Sequence, residues 1–244
     1  LIRRYARDVD LFTASDAQYA DEMTEFLGVN RERIRVVRPG IDVSHFRPVE
    51  MRVKRPFRVG YCGPIMRSKG VDLICDAFKR LAKSETSGEP QAELCVGIPP
   101  HGANDELWQS LMEDFAEAGV ENRVEYAGEL SVRERVEFFH RCSVVVVPSR
   151  SAERTGLLCL EPMACGVPVI ATQAGVLGDI LPTTKGGLSI DAPESGALVE
   201  AMRELRAEPE EADRMGRRGA EGVVRHFSGR AMAETMFGIY NELT

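Results

Sequence analysis

The stretch that decides the fold is SVVVVPSRSAERTGLLCLEPMACGVPVIAT, residues 143–172. The run from Val144 to Val147 is continuously β-branched, which is typical of a parallel strand covered on both faces. Gly156 begins a helical pattern that ends at Gly166. Residues 167–172 then predict a second buried strand. The stretch therefore predicts a strand, a loop, a helix and another strand, in that order.

Strands and helices alternate with short connections on both sides of this unit. Predicted strands lie at 57–62, 92–96, 123–126 and 188–190, and predicted helices at 71–83, 107–118, 132–140, 193–208, 209–226 and 229–243. Such alternation is the signature of an α/β fold built on a doubly wound parallel sheet, which is the Rossmann-like architecture.

A smaller unit precedes the main series. Strand patterns at 11–14 and 34–37 flank a helix that begins after Asp16 and stops at Gly28, so this part predicts strand, helix, strand. Residues 42–56 are irregular and read as a connector. Because the chain starts at Leu1, inside an element, we expect it to be part of a longer protein.

Bulk composition excludes several classes of function. Hydrophobic residues make up 43% and charged residues 28% of the chain, and the net charge is −7, so nucleic acid is not an expected partner. No apolar run approaches the roughly 20 residues of a membrane-spanning helix. The six cysteines and four histidines show no clustered spacing, so we expect reduced thiols and no metal site.

The informative loops all follow strands, which places them at one edge of the sheet, where ligands bind. The loop GPIMRSKG, residues 63–70, precedes a helix and carries Gly63, Arg67 and Lys69. Two cations beside a helix N-terminus suit a phosphate. An ordinary exposed turn with two solvated charges is the alternative, and this loop alone does not exclude it.

The loop SRSAERTG, residues 149–156, leads into the central helix. The backbone N–H groups of Leu157 and Leu158, after Gly156, suit a diphosphate. Glu153 suits neutral hydroxyls, because it would repel that anion, and Glu161 suits a ribose diol. Alternatively, Glu153 is a solvated loop residue and Glu161 is a partly exposed helix residue.

Two further loops complete this edge. The turn AGELS, residues 127–131, could offer backbone groups and the Leu130 side chain to a nucleobase. The glycine-rich loop QAGVLGD, residues 173–179, could let a sugar approach the backbone at Gly175. In each case a plain connecting turn is the alternative.

Taken together, these motifs resemble the retaining glycosyltransferases of the GT-B fold, the group 1 type often called family 4. The resemblance is carried by S-x-E-x-x-G-L followed by E-x-M-A-C-G-x-P-V-I-A-T, here from Ser151 to Thr172, with the two glutamates eight residues apart. It extends over nearly the whole chain, including IRVVRPGIDVSHFRP at 34–48 and the closing HFSGRAMAETMFGIYNEL.

The resemblance implies a domain division. Residues 1–47 correspond to the tail of an N-terminal, acceptor-binding domain and its linker, 48–226 to the donor-binding domain, and 227–244 to a closing helix. Most of the N-terminal domain would be absent, so we expect this chain alone not to catalyse sugar transfer.

The resemblance also implies roles for single residues. Glu161 corresponds to the residue that holds the ribose, and Glu153 to the one that contacts the donor sugar. Lys69 and the amides after Gly156 correspond to the diphosphate site, and Leu130 to the base-side contact. The expected catalytic residues are therefore Glu153, Lys69 and Arg67, and the expected donor-binding residues are Gly63, Leu130, Gly156, Leu157, Leu158 and Glu161.

Three departures from the family pattern stand out. Pro64 replaces the usual arginine after the first loop glycine, a cation that we expect Arg67 to replace. In the later loop, Val176 replaces the second glycine of a pair, and Asp179 replaces a glutamate.

The resemblance therefore implies a retaining hexosyltransferase that uses a nucleotide diphosphate sugar, and we expect no metal or cofactor. The expected acceptor is a saccharide, a lipid or a small molecule, and the sequence does not identify it. The expected location is the cytoplasm, or a membrane-peripheral position for the intact protein. The alternatives are a non-catalytic GT-B partner subunit, which Pro64 favours, and another GT-B enzyme such as a nucleotide-sugar epimerase.

Overall fold

Six parallel strands form the larger of two sheets in the computed structural model, which describes residues 2–49, 56–85 and 91–243. The strands in these ranges are β1 (Phe12–Ala14), β2 (Ile34–Val36), β3 (Arg58–Cys62), β4 (Glu93–Ile98), β5 (Val124–Glu129), β6 (Val144–Val147), β7 (Val169–Thr172) and β8 (Gly187–Ile190). The helices are α1 (Ile2–Tyr5), α2 (Ala17–Leu27), α3 (Val71–Lys83), α4 (Asp105–Glu117), α5 (Val132–Arg141), α6 (Leu157–Ala164), α7 (Leu177–Thr184), α8 (Ser195–Ala207), α9 (Pro209–His226) and α10 (Gly229–Glu242).

The strand order of the larger sheet is β5-β4-β3-β6-β7-β8, and each neighbouring pair is parallel. The chain builds outward from β3 to β5 and then returns to the other side of β3 with β6. The order thus reverses between β3 and β6. In such sheets, ligands bind beyond the carboxyl ends of the strands at this reversal. The predicted doubly wound parallel sheet is confirmed.

Apolar side chains of β6 point alternately into two cores, because successive residues of a strand face opposite sides of a sheet. Val144 and Val146 pack in a core shared with α3, α4 and α8. Val145 and Val147 pack in a second core shared with α5, α6 and α7. The continuous valine run is therefore explained by helices on both faces of the sheet.

The smaller sheet pairs β1 with β2 in parallel and packs against α2. The Asp16 side chain caps α2 by accepting a hydrogen bond from the Tyr19 amide at 2.8 Å. The predicted strand–helix–strand unit is thus present. The domain boundaries at residues 47 and 226 stay predictions, and residues 50–55 of the connector lie outside the described residues.

The predicted loop at 173–179 is wrong in its second half, because α7 begins at Leu177. Val176, Leu177, Ile180 and Leu181 are all buried, and their spacing is that of one helical face. Gly178 and Pro182 concealed this pattern in the sequence, since both residues are poor helix formers.

The predicted turn at 127–131 is wrong in its first half, because β5 continues to Glu129. The register between β4 and β5 shifts after Val96, so that Gly97 pairs with Gly128. A bulge of this kind lets a strand absorb a glycine that, in sequence, suggests a turn.

All six cysteines are buried. Burial raises the pKa of the Cys62 and Cys95 thiols to about 12, and it also raises the pKa of Cys75 and Cys159. Because the thiolate is the reactive form, we expect the native protein to react with a thiol-specific dye far more slowly than the urea-unfolded chain. Absorbance should report six thiols after unfolding. Rapid labelling of the native protein would contradict the packing of these side chains.

Among the residues that the structure describes, no helix is long and apolar enough to cross a membrane. Within the same ranges, no group of three or more histidine, cysteine, aspartate and glutamate side chains is placed to hold a metal ion. The expectation that the chain uses no metal or cofactor stays a prediction.

Candidate functional site

Two loops meet beyond the carboxyl ends of β3 and β6. The amides of Arg150 and Ser151 both donate to the carbonyl oxygen of Ser68, at 2.9 and 3.2 Å. The two loops approach so closely that position 70 requires glycine. Gly70 has a φ of +76°, and a β-carbon there would overlap the carbonyl oxygen of Pro148. The two loops therefore form one crevice at the point where the strand order reverses.

Lys69 and Glu153 form an ion pair in this crevice. Lys69 Nζ lies 2.8 Å from Glu153 Oε1, and the Ser149 hydroxyl donates to the same oxygen at 2.7 Å. The Glu153 side chain is 7% exposed and that of Lys69 is 22% exposed. The structure thus brings together Lys69, predicted to bind the diphosphate, and Glu153, predicted to bind the donor sugar.

A third loop fixes the backbone of Glu153. Its amide donates to the carbonyl oxygen of Ala174 at 3.1 Å, and its carbonyl oxygen accepts from the Val176 amide at 2.9 Å. This makes a short parallel bridge between Glu153 and Gly175. The loop after β7 therefore holds the segment that carries the carboxylate.

The N-terminus of α6 opens beside the same loop. Gly156 caps this helix in the left-handed conformation, with a φ of +67° and no side-chain hydrogen bond. The amides of Cys159 and Leu160 donate to the Gly156 carbonyl oxygen, both at 2.9 Å, so the amides of Leu157 and Leu158 stand at the open first turn. This positive end of the helix suits an anion.

Glu161 lies on α6 and is held by Arg135 of α5. Arg135 Nε and Nη2 donate to the two carboxylate oxygens at 2.8 and 2.9 Å, and the two side chains are only 15% and 11% exposed. Burial raises the pKa of Cys62, at the end of β3, and the Glu161 charge raises it further against the opposing effect of Arg135. Glu161 lies on the helix that directly follows β6, one of the two strands at the reversal.

Arg67 lies apart from this cluster. Its side chain is 70% exposed, and Nη1 is 3.5 Å from Asp72 Oδ2. Arg150 binds the same carboxylate with two contacts, at 2.7 and 2.9 Å. The structure places Arg67 in an ion pair with Asp72 at the protein surface, and its role as a substitute cation stays a prediction.

Gly63 and Leu130 both contact the ends of neighbouring strands. The Gly63 amide donates to the Gly97 carbonyl oxygen at 3.1 Å, so it is already engaged. The Leu130 amide donates to the carbonyl oxygen of Ile98 at 2.9 Å. The Leu130 side chain is buried and packs against Gly97. The role of Leu130 as a base-side contact stays a prediction.

Sequence reasoning missed two residues of the site. Neither Ser149 nor Arg135 is among the predicted site residues. Ser149 lies four residues before Glu153, and Arg135 lies 26 residues before Glu161. The short separation was a usable signal for Ser149, since a loop that turns back brings such residues together.

A family model described as Glycosyl transferases group 1 matches residues 43–222. The D-inositol 3-phosphate glycosyltransferase of Corynebacterium jeikeium (strain K411) is 29% identical over 248 residues, which cover 97% of this chain and 58% of the relative. The chain spans about half the length of the curated relatives it matches.

Two solved structures share the fold. Sucrose-phosphate synthase from Thermosynechococcus elongatus matches with a TM-score of 0.82 at 24% identity, over 99% of this chain and 60% of that chain. Anabaena Alr3699/HepE in complex with UDP and glucose matches with a TM-score of 0.80 at 18% identity, over 98% of this chain and 65% of that chain. At these identities the similarity concerns the fold. These similarities favour neither the partner-subunit nor the epimerase alternative.

Proposed function

The chain belongs to the glycosyl transferases group 1 family, and from this premise we propose that it binds a nucleotide diphosphate sugar between β3 and β6 for transfer to an acceptor. The observation that carries the proposal is the crevice in which Lys69, Glu153 and the first turn of α6 lie together. The UDP complex of the structurally similar Anabaena protein supports a nucleotide-linked donor.

The diphosphate would lie between Lys69 and the amides of Leu157 and Leu158. Transfer builds negative charge on the leaving diphosphate, and donors fixed in advance stabilise such charge without reorganisation. Lys69 supplies a full positive charge, and the N-terminus of α6 supplies a partial one. Both belong to the protein chain, so their positions are set by the fold before the ligand arrives.

Glu153 would accept hydrogen bonds from hydroxyls of the donor sugar. Its Oε1 is already bound by Lys69 and Ser149, which suits a positioning contact better than a covalent attack. We propose instead that the acceptor hydroxyl attacks from the side of the departing diphosphate, whose oxygen takes the proton. This route retains the anomeric configuration, and NMR of the product would distinguish retention from inversion.

Glu161 would hold the ribose diol. Replacing it with glutamine keeps the shape but removes the charge, and a hydrogen bond to a charged group contributes about 1.5–3 kcal/mol. We therefore expect Glu161→Gln to weaken the binding of ribonucleoside diphosphates by about 10- to 100-fold. Calorimetric titration of the 244-residue chain with UDP, GDP, ADP and CDP measures this.

Glu93→Gln is the matched control. Glu93 pairs with Arg58 at 2.7 Å, with side chains 34% and 27% exposed, at the opposite, amino-terminal ends of β3 and β4. The control should leave nucleotide affinity unchanged. If the wild-type chain binds none of the four nucleotides, or if Glu161→Gln binds all of them as tightly as wild type, the proposed site is wrong.

A further inference from the structure

Two arginines of α5 have opposite surroundings. Arg133 is 89% exposed and pairs with Glu137 on its own helix, at 3.1 Å. Arg135, two residues later, is 15% exposed and crosses to Glu161 on α6. Because a long cation is normally solvated, a buried one that reaches a predicted ligand-binding carboxylate calls for an explanation beyond surface solvation.

The Arg135 guanidinium contacts three separate parts of the chain. Its Nε and Nη2 bind both oxygens of Glu161. Its Nη1 donates to the Leu130 carbonyl oxygen at 3.4 Å, and its Cζ atom lies 5.9 Å from the centre of the Phe46 ring. One side chain thus joins α6, the turn between β5 and α5, and the connector.

We propose that Arg135 is a positioning residue for ribose recognition. It fixes the carboxylate plane of Glu161 and ties it to the base-side turn at Leu130. The inference rests on the proposed function, in which Glu161 receives the ribose diol. Arg135 itself acts through Glu161 and need not touch the nucleotide.

The bidentate geometry leaves the carboxylate able to bind more. An ionised carboxylate offers about four acceptor positions, and the guanidinium occupies one on each oxygen. The remaining position on each oxygen lies in the carboxylate plane and points away from the other oxygen, so each can accept one hydroxyl of the ribose. With the carboxylate held rigid, these positions keep fixed directions, so a ribose hydroxyl placed at one of them is distinguished from a deoxy position.

Charge balance supports the same role. The Glu161 side chain is 11% exposed, so its charge is poorly screened by water. Without Arg135 it would stand unpaired beside a crevice proposed to receive an anionic diphosphate. Arg135 cancels that charge while leaving the oxygens available as hydrogen-bond acceptors.

The experiment compares ribose with its deoxy forms. The tightest binder among UDP, GDP, ADP and CDP is titrated against its 2′-deoxy and 3′-deoxy counterparts. The proteins are wild type, Arg135→Met, Arg135→Lys and Arg133→Met, the last being the matched exposed control on the same helix. The readout is the ratio of the affinities for the ribo and deoxy forms, because a merely structural defect weakens both alike. Urea denaturation establishes that each variant is folded.

We expect wild type and Arg133→Met to prefer the ribo form by about tenfold or more. Arg135→Met should reduce the preference to about twofold or less. Arg135→Lys keeps the charge but cannot make two parallel bonds, so it should restore only part of the preference. In a Glu161→Gln background, Arg135→Met should leave the preference unchanged, because the two residues act as a unit.

Two results would overturn the inference in distinguishable ways. If wild type prefers the ribo form and Arg135→Met keeps that preference, or loses affinity for ribo and deoxy forms equally, Arg135 is structural and the proposed function stands. If wild type binds none of the four nucleotides, the proposed function fails and the inference fails with it.

Discussion

Replacing Lys69 with methionine is expected to weaken nucleoside diphosphate binding by about 100-fold, which is the largest loss of affinity anticipated for a single side chain of the crevice. Lys69 provides the charged contact proposed for the diphosphate. Its removal also leaves Glu153, only 7% exposed, as an unpaired negative charge that repels the ligand. Both effects act in the same direction, and calorimetric titration measures their sum.

The same substitution should also lower the free energy of unfolding. Removing one partner of a fully buried ion pair costs about 3–5 kcal/mol, and the 22% exposure of Lys69 reduces this to about 2 kcal/mol. A second substitution, Glu153→Gln, made together with Lys69→Met, should recover most of this stability but not the affinity. Recovery of stability without recovery of affinity would show that Lys69 contacts the ligand in addition to pairing with Glu153. Urea denaturation measures the free energy of unfolding.

Lys79→Met is the control for Lys69. Lys79 lies on α3, is 20% exposed, and pairs with Asp114 of α4 at 3.5 Å, away from the crevice. Its loss should leave nucleotide affinity unchanged. Should Lys69→Met bind within about twofold of wild type, Lys69 would not be a diphosphate contact.

Gly70→Ala is expected to lower the free energy of unfolding by about 3–5 kcal/mol, the largest effect on stability anticipated here. The left-handed conformation alone costs a residue with a β-carbon about 1–2 kcal/mol. The added carbon would also overlap the carbonyl oxygen of Pro148, which is backbone and cannot rotate away. The two loops of the crevice must then separate, so nucleotide affinity should fall as well.

Gly28→Ala separates the two contributions to this cost. Gly28 has a φ of +68°, close to that of Gly70, but a β-carbon there would meet nothing within 4 Å. We expect this control to lose only the conformational part, about 1–2 kcal/mol, and to leave nucleotide binding intact. If the two variants lose equal stability by urea denaturation, the close approach of the loops is not the cause.

Much of the fold follows from local patterns in the sequence. Helix α3 runs from Val71 to Lys83, as predicted, because its apolar residues recur at helical spacing and Gly70 precedes it. The valine run of β6 indicated a strand covered on both faces, and the two cores confirm this. Helix α7 was missed because its glycine and proline outweighed the spacing of its apolar residues.

The pairing of side chains in the crevice was less predictable. Lys69 and Glu153 are 84 residues apart, and their contact depends on how closely two loops approach. Arg135 reaches Glu161 only because α5 and α6 lie next to each other on one face of the sheet. Such contacts depend on the relative placement of whole elements, and the spacing of residue types within one element does not encode it.

Main-chain hydrogen bonds hold the loop that carries Glu153. The amides of Arg150 and Ser151 bind Ser68, and the backbone of Glu153 binds the loop after β7. Bonds between main-chain atoms do not depend on side-chain identity, so neighbouring positions such as Ala152 and Thr155 can mutate without moving the carboxylate. The side chains that line the loop can therefore change while the main-chain frame that holds the Glu153 carboxylate stays in place.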